Sequence, residues 1–326
     1  MPSKRFFCNN LIVNTGTPSG LPALEADEVI NFEQFGPLFK HCKDAHLPRP
    51  SSNLRLGTLS EYRRIENEAV RDGLEGIFKV TLNFSKKTYV KFDALKQATL
   101  GTLMIVPGTS RGNLNANFFN GRFTNGSVYS TDSIEFEAAD KDGLNVLGSV
   151  DILAEGADAY VLCMSTSKDD GAVILDPEYD SVWSIKSGSV EEFAGRIATY
   201  LCSISQVRQS FCSETIGPLN APGFPPPPQN EYMQWRFSAE IWEVIYREKT
   251  IEMSTTITDE IIQDIFNSLD RSAFIKPEEF SHEKEVRIIF RPVMIDTRDG
   301  RRYLFPNYLN PIFIPFDPLL GFVESS

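Results

Sequence analysis

Polar and apolar positions alternate with a period of two along several short runs of β-branched and aromatic residues, a pattern that predicts strands. The clearest runs lie at 76–84, 89–92, 102–106, 133–137 and 158–164, each bounded by Gly, Asn, Asp or Ser. Leu54-Arg55-Leu56 follows a Pro/Ser/Asn turn and predicts a further short strand. Residues 240–246 alternate around Ile241, Trp242, Val244 and Ile245 as a buried strand does, and a last strand pair is expected near 303–305 and 312–316.

Helical periodicity is confined to fewer places. Ser189-Val190-Glu191-Glu192 is a capping box, and Phe193, Ile197, Tyr200, Leu201 and Ile204 then share one helix face. A second amphipathic helix is predicted over 258–269 through Ile262, Ile265, Phe266 and Leu269. A polar helix is expected over 61–70 with Thr58 or Ser60 as its N-cap. From Ala26 onward, Val29, Phe32, Phe35 and Phe39 recur at roughly helical spacing until Gly36-Pro37 interrupts the run. Residues 1–25 read as a loosely held leader with one strand around 11–14, and the Asn/Gly-dense stretch 108–127 as a set of turns. Residues 223–228 include four consecutive prolines and form an extended polyproline segment, read as a stiff surface loop or as a ligand for an aromatic groove. Strand signals on both sides of it belong to one sheet system. The expected organisation is therefore the leader 1–25 followed by one mixed α+β domain over 26–326.

Composition narrows the function classes. The chain has 326 residues, 41% of them hydrophobic and 23% charged, as in a folded globular protein. A net charge of -12 disfavours a broad phosphate-binding face. Cys8, Cys42, Cys163, Cys202 and Cys212 are odd in number and lack C-x-x-C spacing, which argues against a disulfide framework or zinc cage and fits a reducing cytoplasm. His41, His46 and His282 are too few for a histidine-rich metal site. No stretch has the length and apolarity of a signal segment or membrane span, so a cytoplasmic protein with no membrane partner is expected.

Three pieces carry candidate chemistry. Glu283 and Glu285 open a run of β-branched and aromatic residues, and in an extended chain they point to the same side. Two acids so placed suit a sugar-like centre, where one stabilises a developing cation and the other handles a proton; a strand end with two solvated acids is the plain alternative. Tyr160-Val161-Leu162-Cys163-Met164 is an apolar strand ending in Ser165, Thr166 and Ser167, hydroxyls that either line a site or bond the local backbone. Arg55, between apolar neighbours, either pairs with an acid or offers its planar fork to a pyrophosphate. Tyr62, Arg71, Asp72 and Glu75 form a polar cluster that lines the same cleft or pairs within itself. His282, beside the acids, is a potential proton carrier that strand alternation turns away from them.

In chain order, a strand arginine, a strand ending in Ser-Thr-Ser and a strand opening with Glu-x-Glu resemble the constellation of the mono-ADP-ribosyltransferase family. The resemblance implies a split mixed β-sandwich with helices and insertions, binding NAD as substrate between its sheets. It further implies that Glu285 stabilises the ribose cation, Glu283 orients or deprotonates the acceptor, Ser165 holds Glu285, Thr166 and Ser167 support the NAD-binding strand end, and Arg55 grips the phosphates, with Arg49 and Arg63 as its competitors. Phe280 falls where that family recognises its acceptor, expected to be a protein arginine or a nucleic-acid base. The long intervals between the three pieces require large insertions.

Three further segments, Leu56 to Arg63, Arg71 to Gly76 and Lys276 through Phe280 to Arg287, resemble a bacterial family of uncharacterised domains associated with anti-phage defence and toxin systems. That resemblance implies a toxin-like effector and an antitoxin partner. Rival readings are a non-catalytic interaction module working through the proline loop, and a metal-dependent nuclease using Glu283, Glu285 and Asp169 or Asp170.

Overall fold

The computed structural model describes residues 5–6, 36–64, 73–98, 103–105, 112–114, 123–129, 135–156, 158–168, 179–203, 233–254, 256–296, 302–304 and 309–325. All of the expected leader but residues 5–6, the helical spacing over 26–35, the proline run, Arg71, Asp72, Asp169 and Asp170 lie outside them. The described chain is mixed α and β, with most strands in antiparallel sheets and few helices.

In chain order the strands begin with Arg5–Phe6 (β1), Leu38–Cys42 (β2), Asn53–Thr58 (β3), Ile77–Lys91 (β4), Leu103–Ile105 (β5) and Gly112–Leu114 (β6). Then follow Phe123–Tyr129 (β7), Glu135–Ala138 (β8), Gly143–Gly156 (β9), Tyr160–Ser165 (β10), Ser181–Ile185 (β11) and Met233–Glu243 (β12). The last are Ile245–Tyr246 (β13), Thr250–Met253 (β14), Ile275–Lys276 (β15), Glu285–Asp296 (β16), Arg302–Leu304 (β17), Ile312–Pro315 (β18) and Val323–Ser325 (β19). Helices occupy Leu59–Tyr62 (α1), Phe92–Ala98 (α2), Val190–Ser203 (α3) and Asp259–Asp270 (α4).

The larger sheet is ordered β1-β12-β16-β10-β2-β11-β19, with β3 also on β10 and β18 on β3. The interior strand β16 pairs antiparallel with β12 on one side and with β10, then β17, on the other. One face carries Leu162, Met164, Val286, Ile288 and Phe290, buried against Phe193, Ile197 and Leu201 of α3. This helix starts at Val190, directly after Ser189, whose carbonyl accepts from the Phe193 amide at 2.9 Å and whose own amide donates to the Lys186 carbonyl at 3.0 Å. The opposite face is apolar only at one end, where Val161 and Ile289 pack with Leu59, Ala159, Ala273 and Phe274. Farther along it turns charged. A second sheet, ordered β14-β4-β9-β7 with β8 on β9, buries Phe78, Val80, Leu82, Val150 and Ile152 against Ile265 of α4.

Several local expectations need correction. Phe39 lies on strand β2, because pairing with β11 along five positions overrides the helical spacing leading up to it. The runs 76–84 and 89–92 are one strand, β4, interrupted by a register shift between Phe84 and Thr88. Helix α1 begins at Leu59, two residues before the expected start, with Thr58 as N-cap, its hydroxyl accepting from the Glu61 amide at 3.1 Å. The stretch 108–127 contains β6 and the start of β7 among its turns.

Ile288 is fully buried in this interior strand on the face away from the charges. Ile288→Ala is expected to destabilise the chain by about 2–5 kcal/mol, measured as a lower urea midpoint, without altering the charged face.

Candidate functional site

The Glu-x-Glu pair does not sit on one strand. Pro277 leads into a 3-10 turn over Glu278–Glu283, Lys284 then adopts a left-handed conformation with φ of 45°, and β16 starts only at Glu285. A non-glycine residue at positive φ is held there by its surroundings: the Lys284 carbonyl accepts from the Thr166 amide at 3.1 Å. The two acids converge because this kinked corner folds Glu283 back, not because strand side chains alternate. Both reach Lys276, whose Nζ lies 2.5 Å from Glu283 Oε2 and 3.0 Å from Glu285 Oε2. The backbone of Glu285 is fixed on both sides, its amide donating to the Tyr246 hydroxyl at 2.8 Å and its carbonyl accepting from the Val244 amide at 2.9 Å.

Around this corner runs a chain of alternating charges. Glu75 binds Arg287 through two hydrogen bonds of 2.5 and 2.9 Å, and Arg287 Nε donates to Glu285 Oε1 at 2.6 Å. Arg287 Nη1 also donates to the Ala273 carbonyl. Lys276 then links Glu285 to Glu283, and Glu75, Arg287, Glu285 and Lys276 are all buried. Desolvating each such ion costs several kcal/mol, so every member depends on its neighbours.

The same geometry separates the two acids. Burial pushes the Glu285 carboxyl up, but the charges of Arg287 and Lys276 outweigh it and hold the group well below the usual carboxylate range. Glu283 is pushed up to about 7 by burial and then by the charge of Glu285, against the opposing pull of Lys276. Lys276 remains charged, because the two carboxylates overcome its burial. On the same sheet face, burial and then Glu285 raise the Cys163 thiol to about 12, so it is protonated and inert as a nucleophile at neutral pH.

Ser165 is the direct cross-strand partner of Glu285, as Cys163 is of Arg287. Its hydroxyl does not hold the Glu285 carboxylate as the resemblance implied. It donates to the Glu283 carbonyl at 3.1 Å and accepts from the Ser167 amide at 3.1 Å, bracing the corner through its backbone. Thr166 adds a hydroxyl contact of 3.4 Å to the Lys284 carbonyl and is exposed. Arg55 lies on the same sheet face, since Gly57 opposes Val161 and residues two apart share a side. Its guanidinium is exposed and paired with Glu61. Of its competitors, Arg49 pairs with Asp44 and Arg63 donates to the Glu75 carbonyl at 2.8 Å. Phe280 is buried with Lys276 over its ring, 4.8 Å from the centroid, so that face is not open to an acceptor. His282 lies on the 3-10 turn, where strand alternation does not govern it.

Sequence reading placed no role on Lys276, Arg287 or Tyr246, and left open whether Glu75 and Tyr62 line the cleft or pair within their own cluster; the structure joins Glu75 to Arg287. Tyr62 packs over Gly57, where an added Cβ would sit 3.1 Å from its ring, and its hydroxyl is 3.9 Å from Cys163 Sγ. The available signal was a cation inside an apolar run, as in Val286-Arg287-Ile288 and Phe274-Ile275-Lys276, which implies a buried partner. The three segments of the second resemblance meet here, contributing Tyr62, Glu75, and Lys276 with Arg287.

No group of three or more His, Cys, Asp or Glu among the described residues is arranged to hold a metal ion, and no helix among them is long and apolar enough to cross a membrane. No protein-family model, curated protein or solved structure matches this chain.

Removing Glu75 strands a buried guanidinium. Glu75→Ala is expected to lower the unfolding free energy by about 3–5 kcal/mol, and adding Arg287→Leu to recover part of that loss in a urea double-mutant cycle. The acids give opposite pH signatures. Folded Glu283 keeps its proton up to about 7, whereas the unfolded side chain releases it near 4.5. Stability from this group therefore falls as pH rises between those values. Glu285, depressed on folding, contributes stability above the ordinary carboxylate range and loses it as pH falls through its folded value. The stability of the native chain minus that of Glu283→Gln should decline by about 1–3 kcal/mol across the upper window, read from urea midpoints in a pH series.

Proposed function

We propose that this chain cleaves NAD at its nicotinamide-ribose bond and transfers the ADP-ribose to a macromolecular acceptor, using an ADP-ribosyltransferase-like arrangement of strands. The observation that carries this reading is the adjacency of three strands distant in sequence: β3 bearing Arg55 pairs with β10, and β10 ends in Ser165 directly opposite Glu285 on β16. A buried, permanently charged carboxylate is what an oxocarbenium-like transition state requires. Glu285 has that character: its carboxylate is held charged by Arg287 and Lys276, and its Oε2, 3.0 Å from Lys276 Nζ, would have to be uncovered for a ribose hydroxyl to reach it. Glu283, raised toward neutrality, is suited to take a proton from the acceptor. Arg55 would exchange Glu61 for the pyrophosphate at small cost, because an exposed pair contributes about 1 kcal/mol or less.

With a net charge of -12, the chain suits a protein acceptor, or a nucleic-acid base held by local contacts. In the setting that the second resemblance implies, the activity is that of a toxin or anti-phage effector restrained by an antitoxin.

Glu285→Gln, with circular dichroism confirming the fold, is expected to lower nicotinamide release from NAD by a factor of about 100 or more. Labelled NAD supplied with protein, RNA and DNA in parallel identifies the acceptor. Undiminished release by the variant would remove Glu285 from the mechanism, and absence of release by the native chain would remove the reading itself.

A further inference from the structure

Of the five linked charges, four balance: Glu75 against Arg287 and Glu285 against Lys276. Glu283 is the surplus carboxylate. Its side chain is 22% exposed, whereas Lys276 is 7% and Glu285 4% exposed, and both Glu75 and Arg287 are 2% exposed. It is therefore the most accessible of the five. Lys276 alone among the described residues touches both acids of the pair.

The placement of Lys276 is itself constrained. Strand β15 pairs in parallel with β13, setting Lys276 beside Tyr246, and the Lys276 carbonyl accepts from the Arg247 amide at 2.9 Å. The ammonium is closed in by the Phe280 ring on one side and the two carboxylates on another. The other charged or titratable groups of the cluster are Arg287 on β16, Tyr246 on β13, Cys163 on β10, Tyr62 on α1 and Glu75 before β4. Arg287 is already bound to Glu285 at Oε1 and to both oxygens of Glu75. Lys276, within 3.0 Å of both acids, is the cation placed to decide how charge is shared between Glu283 and Glu285.

We propose, resting on the transfer reading above, that Lys276 is a positioning residue that divides the labour of the two acids. Its ammonium compensates Glu285 so that this carboxylate stays charged beside the ribose, and leaves Glu283 as the reachable acid that takes the acceptor's proton. In the balanced step, the bond from ribose carbon to nicotinamide nitrogen breaks and its electron pair leaves with neutral nicotinamide. The acceptor's lone pair forms the new bond to that carbon, and the acceptor's proton passes to the Glu283 carboxylate. Without Lys276 the two carboxylates face each other with Arg287, already shared with Glu75, as their nearest cation, and they compete more strongly for one proton.

The test pairs kinetics with a readout that does not need turnover. In the native chain, nicotinamide release in the presence of acceptor should rise with pH to a plateau through a midpoint near 7. Lys276→Met should move that midpoint upward by about one pH unit or more, and Lys276→Arg should return it to within about half a unit of the native value. An unmoved midpoint in folded Lys276→Met overturns the proposal. If that variant does not fold, carbon-13 NMR of glutamate-labelled native chain decides, with Glu283 and Glu285 assigned by the signals missing from Glu283→Gln and Glu285→Gln. The proposal expects the Glu283 carboxyl to titrate near 7 and that of Glu285 to stay ionised down to acidic pH. The reverse assignment, or two acids titrating together in the ordinary range, overturns it. A native chain that releases no nicotinamide defeats the transfer reading, while the titration still reports whether the acids are divided as described.

Discussion

A guanidinium sealed inside the protein is the constraint around which this face of the sheet is arranged. Arg287 sits on an interior strand, where its neighbours Val286 and Ile288 point into an apolar core. Strand alternation forces its side chain to the opposite face, and that face must supply counter-charge or the strand cannot occupy the interior of the sheet. Glu75 reaches it from a turn far upstream in sequence and Glu285 from two positions away on the same strand. Each acid added for Arg287 then needs its own environment, which brings in Lys276, and Lys276 brings Glu283. The charged corner thus follows from one arginine in an otherwise apolar strand.

The two faces of the sheet divide apolar packing from buried charge. One is filled by α3 and by aliphatic side chains from several strands, and supplies the burial that holds the strands in register. The other spends little of its area on burial beyond the patch around Ile289 and Phe274, and presents Ser165, Cys163, Glu285 and Arg287 in adjacent rows. Because the rows are set by the hydrogen-bond register of β10 and β16, the spacing of these groups is as rigid as the sheet itself. Positions depending on longer side chains, such as Arg55 and its exposed partner Glu61, have no comparable restraint.

Much of this was legible in the chain, and what was not has physical causes. The strands through Tyr160, Ile241 and Ile288 announce themselves by alternation, and α3 by its capping box and apolar stripe. The closeness of Ser165 to Glu285 was expected only from the family resemblance, since no local pattern says which strands will pair. The corner at Lys284 was invisible because a left-handed lysine has no compositional mark, unlike the glycine that usually occupies such a conformation. Strand β9 escaped because Gly143, Gly148 and polar residues between its buried positions break the visual pattern, although Leu144, Val146, Val150 and Ile152 keep strict alternation in space. Lys276 and Glu75 were unreadable as partners since nothing local reveals which distant charge will neutralise a buried one.

The interior position of β16 has a bearing on how the protein is made. Ribosomes deliver β10 and β12 well before residues 285–296, so for much of synthesis both strands lack the neighbour that finally lies between them. Unsatisfied strand edges are the surfaces on which nascent chains stick to one another, and they attract chaperones. The charged corner shares this timetable, because Glu75 and Lys276 are both laid down before Glu285 and Arg287 arrive on β16. Burial of these charges is therefore a late step, one that cannot precede emergence of the strand carrying the arginine.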